Sequence, residues 1–309
     1  MSVVAADEAP RSGDDAAFRD AVTFSFGDPV AKLFGLARVS LGGGGASGFA
    51  VVYAGDELAG ASTEAQVALD VPAGWDAVSA AGVRTTVVAP LESWTVAYDG
   101  DTAGFELRFE AISTPAALDP EGVVAQAGGM AGYEQVCNVT GSVRHGGRSH
   151  PVRCLGQRGH QWGASDWSRI ELARTLTAWM GADRAVTLTA VRPAKAKHHD
   201  EEAVSGFLID RGEPQAIFDA RVSTTYDGEL RQRSAGLELW MSVEGGYARR
   251  AAGQVLCGTT VDLCDLRLDS AFFQWRMEGR VGTGRYDVLR RVSPNGGGGS
   301  GLLRRNRSA

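Results

Sequence analysis

Within eight consecutive positions this chain places a histidine, two tryptophans and an aspartate. They belong to the run Gln157-Arg158-Gly159-His160-Gln161-Trp162-Gly163-Ala164-Ser165-Asp166-Trp167. The residues between them are mostly small, which permits close approach of side chains and backbone. Aromatic walls with one acid and one imidazole suit a pocket in which an apolar substrate meets a proton donor. Spacing alone is equally compatible with a packed corner, in which Trp fills space, His bonds to backbone and Asp caps a turn. In the functional reading Asp166, desolvated against Trp162 and Trp167, stays protonated and transfers its proton to a double bond or a carbonyl. His160 orients Asp166, holds a water, or is itself the acid. The tryptophan π faces steady a nearby carbocation, and Arg158 stands at the edge of the same run. Glu134, beside Tyr133 at the start of an expected strand, is a second candidate acid, although a solvent-facing strand position accounts for it as well. Trp179, Trp240, Trp275 and Phe273 lie on apolar strand faces, as lining or as ordinary core.

Other motifs fail their context. Gly42 to Gly48 spells G-x-G-x-x-G, but a strand and no helix follows it, so a mobile glycine loop explains it better than a dinucleotide site. There is no P-loop, no G-x-S-x-G elbow and no H-E-x-x-H. His198-His199 lies in a charged loop, Pro193 to Glu202, without the three or four converging ligands a metal needs. Neither a metal nor a nucleotide cofactor is expected. The four cysteines, Cys137, Cys154, Cys257 and Cys264, form no C-x-x-C pair. They read as reduced thiols, with a Cys137–Cys154 bridge across paired strands as the alternative.

The elements that would position these groups are strands. Phe105, Leu107 and Phe109 alternate with Glu106, Arg108 and Glu110, the period-2 mark of a half-buried antiparallel strand. Trp94, Val96 and Tyr98 repeat the pattern, with Asp99-Gly100 between the two as a turn. Gly146-Gly147 marks another hairpin. Strands are expected at 48–53, 83–88, 134–143, 149–155, 170–180, 185–191, 206–209, 237–243 and 272–277, and one short helix at Asp14 to Val22. The pattern predicts an all-β chain, as two antiparallel barrels side by side rather than one large sheet. The expected organisation is a flexible N-terminus at 1–17, β-domains at 18–167 and 168–292, and a Gly-rich disordered tail at 293–309.

Composition narrows the partners. With 309 residues and 44% hydrophobic content the chain can bury two ordinary cores. A net charge of −6 argues against nucleic-acid partners, which need a basic face. Met1 to Asp20 lacks the basic start and apolar core of a signal peptide, so a cytoplasmic location is expected. No stretch approaches a membrane-spanning length. Oligomeric state is left open.

The run His160-Gln161-Trp162-Gly163-Ala164-Ser165-Asp166-Trp167 resembles the His-x-Trp-Gly-x-x-Asp-Trp signature of tandem lipocalin-like proteins related to carotenoid 1,2-hydratase and the AttH-type proteins. Decalin-forming pericyclases resemble the same group. The resemblance is carried by residues 130–180; elsewhere it rests on length and strand pattern. Many relatives have an Asp before the His, where this chain has Gly159. The resemblance implies two lipocalin-like (calycin) barrels and a hydrophobic small-molecule substrate. It implies a cofactor-independent cyclase, isomerase or hydratase acting on a polyene, terpenoid or polyketide-like molecule in natural-product biosynthesis, by acid catalysis or templated pericyclic closure. The alternative is a non-catalytic carrier of such a molecule.

Overall fold

The computed structural model describes residues 2–69, 74–198, 201–243, 246–292 and 303–305. The chain divides into two compact units, one of residues 1–120 and 129–165, the other of residues 121–128 and 166–309. Both are lipocalin-like antiparallel β-structures.

The first unit is built from β1 (Arg19–Asp28), β2 (Leu33–Gly42), β3 (Gly45–Ala54), β4 (Glu57–Ala68), β5 (Ser79–Ala80), β6 (Val83–Ala89), β7 (Ser93–Asp99), β8 (Ala103–Ala111), β9 (Ala116–Ala117), β10 (Met130–His145) and β11 (Arg148–Gly163). Their order is β4-β3-β2-β1-β11-β10-β8-β7-β6-β5, with β9 beside β10. The first long strand therefore pairs with the last, and the sheet curls until β5 returns beside β3 and β4. Val22, Phe24 and Phe26 from β1 face Trp94, Phe105, Leu107, Phe109 and Val139 in one apolar core. Phe24 touches both Trp94 and Phe109, each at 5.3 Å between ring centroids.

The second unit repeats this plan. It holds α1 (Val123–Gly128) and β12 (Ile170–Gly181), β13 (Arg184–Pro193), β14 (Ala203–Asp210), β15 (Glu213–Ala216), β16 (Asp219–Tyr226), β17 (Gln232–Trp240), β18 (Arg249–Leu263), β19 (Leu266–Met277), β20 (Arg280–Arg291) and β21 (Leu303–Arg305). The order is β15-β14-β13-β12-β20-β19-β18-β17-β16, with β21 beside β18. Once more a meander of early strands is joined to a meander of late ones by pairing first with last. The two units share one strand plan, which residue identities do not reveal.

One expectation needs correction. Asp14 to Val22 is not a helix: Arg19 onward is β1, because Asp20, Val22, Phe24 and Phe26 alternate inward with period 2 and their β-branched and aromatic neighbours favour a pleated surface. Ala5–Glu8 forms a 3-10 turn and Glu8 is buried. Of the expected C-terminal tail, 293–302 and 306–309 lie outside the described residues, as does His199, while 303–305 pair with Thr259 to Val261. Among the described residues no helix is long and apolar enough to cross a membrane.

Cys137, Cys154 and Cys264 are free thiols; Cys137 and Cys257 are buried and Cys264 is exposed. Burial pushes the Cys137 and Cys154 thiols up to about 12, so neither is a thiolate at neutral pH. A thiol titration of the native protein should therefore find Cys264 reacting promptly and the remaining three only on unfolding. Rapid reaction of Cys137 in the native state would mean that the β10–β11 core opens locally.

Candidate functional site

The signature run is not a corner between strands. Its first half is the end of β11, which runs unbroken to Gly163 between β1 and β10. Strand alternation then sorts the residues: Arg158, His160 and Trp162 share one face, and Gln157, Gly159 and Gln161 the other. On the first face the register sets His160 between Val22 and Tyr133, Arg158 between Phe24 and Gln135, and Trp162 between Asp20 and Ala131. That face points into the apolar core, so its polar members must find partners there.

They find them in two connected groups. His160, wholly buried, meets Asp20 with 2.7 Å between Nε2 and Oδ1. The second oxygen of Asp20 accepts the Arg11 backbone N–H at 2.6 Å. With Asp20 Oδ1 as the acceptor, the imidazole donates from Nε2 and carries its other function at Nδ1. Nδ1 is buried and has no hydrogen-bond partner among the described residues. Three aromatic rings surround the imidazole edge-on: Trp162 at 5.1 Å, Trp75 at 5.6 Å and Tyr133 at 5.7 Å between centroids.

The second group centres on Glu8. Its carboxylate accepts from Trp94 Nε1 and from the Tyr133 hydroxyl, each at 2.6 Å, and pairs with Arg158 Nη1 at 2.6 Å. Its backbone carbonyl accepts from Trp75 Nε1 at 2.9 Å. Arg158 also donates to Gln135, whose amide nitrogen is tied to the carbonyls of Leu91 and Ser113. Burial alone would pull Arg158 down, but the facing Glu8 and Tyr133 raise it above its ordinary value, so the guanidinium stays charged. Burial, reinforced by Glu8 against the opposing pull of Arg158, raises the Tyr133 phenol well above its usual range, so it serves as a donor. The Arg11 guanidinium covers the Trp162 ring at 3.8 Å and is held by Asp7 at 2.6 Å.

The structure thus brings His160, Tyr133, Arg158 and Trp162 together and adds Glu8, Asp20, Trp75 and Trp94. It does not give Asp166 the desolvated setting expected of it. Asp166 is exposed, accepts from the Ser168 backbone at 2.9 Å and its hydroxyl at 2.6 Å, and is lowered by those bonds. A neutral, proton-donating Asp166 is therefore corrected to an ionised turn-capping residue. Trp167, Trp179, Trp240 and Trp275 belong to the second unit. Trp179 and Trp275 are buried, Trp275 stacks on Phe273 at 5.5 Å, and Trp240 carries Arg221 over its ring at 4.9 Å. That unit has its own buried polar knot: Arg174 pairs with Glu202 at 2.9 Å and donates to Tyr286 and Thr224. Among the described residues no group of three or more His, Cys, Asp or Glu is placed to hold a metal ion.

Glu134 sits on the opposite face of β10 from Tyr133, half-buried, and its carboxylate accepts from Gln157 at 2.8 Å. Gly159 is its cross-strand partner, and a Cβ there would meet the Glu134 carboxylate at 2.5–2.6 Å. The acid before His160 is thus absent, while a carboxylate from the neighbouring strand fills the space its side chain would enter. Gly159→Ala should cost less than about 1 kcal/mol, because the Glu134 carboxylate it meets is the far end of a flexible, half-buried side chain that can swing aside. In a Glu134→Gly background the same change should be nearly neutral. Urea denaturation of the four proteins gives the coupling, and additive losses would remove this explanation of the glycine. Gly163 is required for another reason: its φ is 145° and a Cβ would strike the Gly129 carbonyl and Met130.

Sequence alone gives no signal for Glu8, and Asp20 opens the period-2 run of β1, where only the β1–β11 pairing sets its partner. Glu8 lies in an Ala- and Asp-rich stretch with no period, and the three donors that define its place come from residues 94, 133 and 158.

The chain belongs to the family described as a domain of unknown function, DUF7064, whose profile matches residues 5–292. No curated protein matches it significantly. Among solved structures it is similar to an AttH-type protein from Nitrosomonas europaea, with 10% identity, TM-score 0.65 and coverage of 91% of this chain and 95% of that one. It is similar to CghA crystallised with Sch210972, with 11% identity, TM-score 0.63 and 89% of each chain covered. It is also similar to kievitone hydratase from Nectria haematococca, with 11% identity, TM-score 0.60 and 88% of each chain covered.

Proposed function

We propose that this DUF7064 protein is a cofactor-independent cyclase, isomerase or hydratase. Its substrate is a large hydrophobic polyene, terpenoid or polyketide-like molecule of natural-product biosynthesis in the cytoplasm, and His160 with Asp20 is its acid–base pair. The observation that carries the proposal is the buried His160 Nδ1, inside an aromatic ring set and without a partner among the described residues, while Nε2 is held by Asp20. Burying an imidazole nitrogen unpaired costs stability. Such costs concentrate where a group is kept ready for a ligand. That one of the similar folds is a hydratase supports the reaction class.

The chemistry follows from the pair. The imidazolium gives its Nδ1 proton to one carbon of a double bond, leaving a carbocation on the neighbouring carbon. Trp75, Trp162 and Tyr133 provide π density at 5.1–5.7 Å from the imidazole. In hydration, water adds to the cation and its surplus proton returns to Nδ1. In cyclisation or isomerisation, an internal double bond attacks the cation or a C–H proton is lost, and Nδ1 takes that proton back. Either cycle leaves the protein unchanged. A pericyclic closure would use the walls alone, by holding the reacting ends at near-attack distance.

A non-catalytic carrier is the second reading, and one observation favours it: Glu8, Tyr133, Trp94 and Arg158 satisfy one another internally. Incubating the purified protein with lipophilic polyene, terpenoid and polyketide metabolites separates the two. An enzyme converts one of them to an isobaric product or to one heavier by a water, as read by mass spectrometry. A ligand that binds and returns unchanged would end the catalytic proposal.

A further inference from the structure

We propose that the interior of the first barrel contains a carboxylate-binding site which Glu8 occupies in cis, and which takes a hydrophobic carboxylic acid when the N-terminal segment withdraws. The site is defined by its donors. Trp94 Nε1 on β7, the Tyr133 hydroxyl on β10 and Arg158 Nη1 on β11 converge on one carboxylate, each at 2.6 Å. All three donor side chains are almost wholly buried. Each is fixed by the sheet, and Arg158 is further braced by Gln135. Only the acceptor comes from outside the sheet.

That acceptor is borne on a 3-10 turn of four residues that pairs with no strand. Besides Glu8, the segment is fastened by the Asp7–Arg11 pair, about a third exposed, by Arg11 N on Asp20, and by Arg11 over Trp162. None of these is a sheet hydrogen bond, so the segment can leave without breaking a strand pairing. Its departure strands a charged guanidinium, a phenol and the indole N–H groups of Trp94 and Trp75 among Phe24, Phe109 and their neighbours. A buried cation without its counter-charge is strongly unfavourable. The ligand that replaces Glu8 must therefore bring a carboxylate, and the surrounding rings require an apolar body behind it. A neutral isostere leaves Arg158 uncompensated and is rejected. The inference goes beyond the catalytic proposal and does not need it, since it is read by binding alone.

The test uses two arms on the full-length chain. In Glu8→Gly, benzoate and decanoate should raise the melting temperature, or restore folding if the variant is unfolded without them, at concentrations about 100-fold above Kd. Benzamide and decanol should not. In the unaltered protein, decanoate should accelerate amide hydrogen exchange across residues 5–11, as the segment is displaced, and decanol should leave it unchanged. Equal effects of acid and neutral analogue on the variant, or no effect of either, overturn the site. Exchange at 5–11 that is insensitive to decanoate overturns its accessibility to an external ligand, and the proposal falls with it.

Discussion

Replacing Glu8 with alanine is expected to destabilise the first unit by about 3–5 kcal/mol, the usual cost of removing one member of a buried ion pair. Both partners are sequestered, with side-chain exposures of 3% for Glu8 and 2% for Arg158, so solvent screening offers little relief. The loss comes mainly from what is left behind: Arg158 charged, and Tyr133 and Trp94 with donors facing apolar surface. Glu8→Gln should lose less, about 1.5–3 kcal/mol, because the amide oxygen still accepts while the counter-charge is gone. Urea denaturation followed by tryptophan fluorescence reads the effect, since Trp75 and Trp94 both contact Glu8. An alanine variant within about 1 kcal/mol of the parent would lie in the range of ordinary surface changes and would remove Glu8 from the centre of this network.

The second large effect concerns turnover. With a substrate in hand, His160→Ala should lower the single-turnover rate roughly 10²–10⁴-fold, the span of a general acid–base contribution. Asp20→Asn should fall in the same range without removing the imidazole, because an amide in that place no longer fixes the tautomer that leaves Nδ1 functional. If the protein acts by templating alone, both changes cost little and Trp162→Ala costs more, by loosening the fit. Asp166→Asn should leave rate and stability close to those of the parent, because its carboxylate is exposed and serves the Ser168 turn. Melting temperatures taken on the same samples separate lost chemistry from lost folding. Unimpaired turnover in a stably folded His160→Ala, Asp20→Asn double variant would exclude the pair from the reaction.

Some of this was written in local sequence. The alternation of Phe105, Leu107 and Phe109 against Glu106, Arg108 and Glu110 dictates a strand with one buried face, and β8 has that face in the core. Gly146-Gly147 sets the β10–β11 hairpin, because both residues take positive φ. Repeated period-2 runs with glycine turns on both sides of residue 167 imply all-β structure in two parts. The signature run places His160 and Trp162 close in sequence, but that they share one face follows only from β11 running on to Gly163.

What the tertiary structure decided is which acid meets which base. Asp166 is six residues from His160 in sequence, yet it caps an exposed turn. Asp20 lies far back along the chain and meets His160 because β1 and β11, first and last in their sheet, pair with Val22 opposite His160. Glu8 is the clearest case. Nothing in Ala5-Ala6-Asp7-Glu8 distinguishes it from a solvated acidic tail, and its burial depends on three donors brought together by β7, β10 and β11. Local sequence specifies the period and the faces of strands, because those follow from short-range sterics and hydrophobicity. The pairing of distant strands, and therefore the partners of a buried charge, is settled only when the whole sheet closes and every polar group inside it must be satisfied at once.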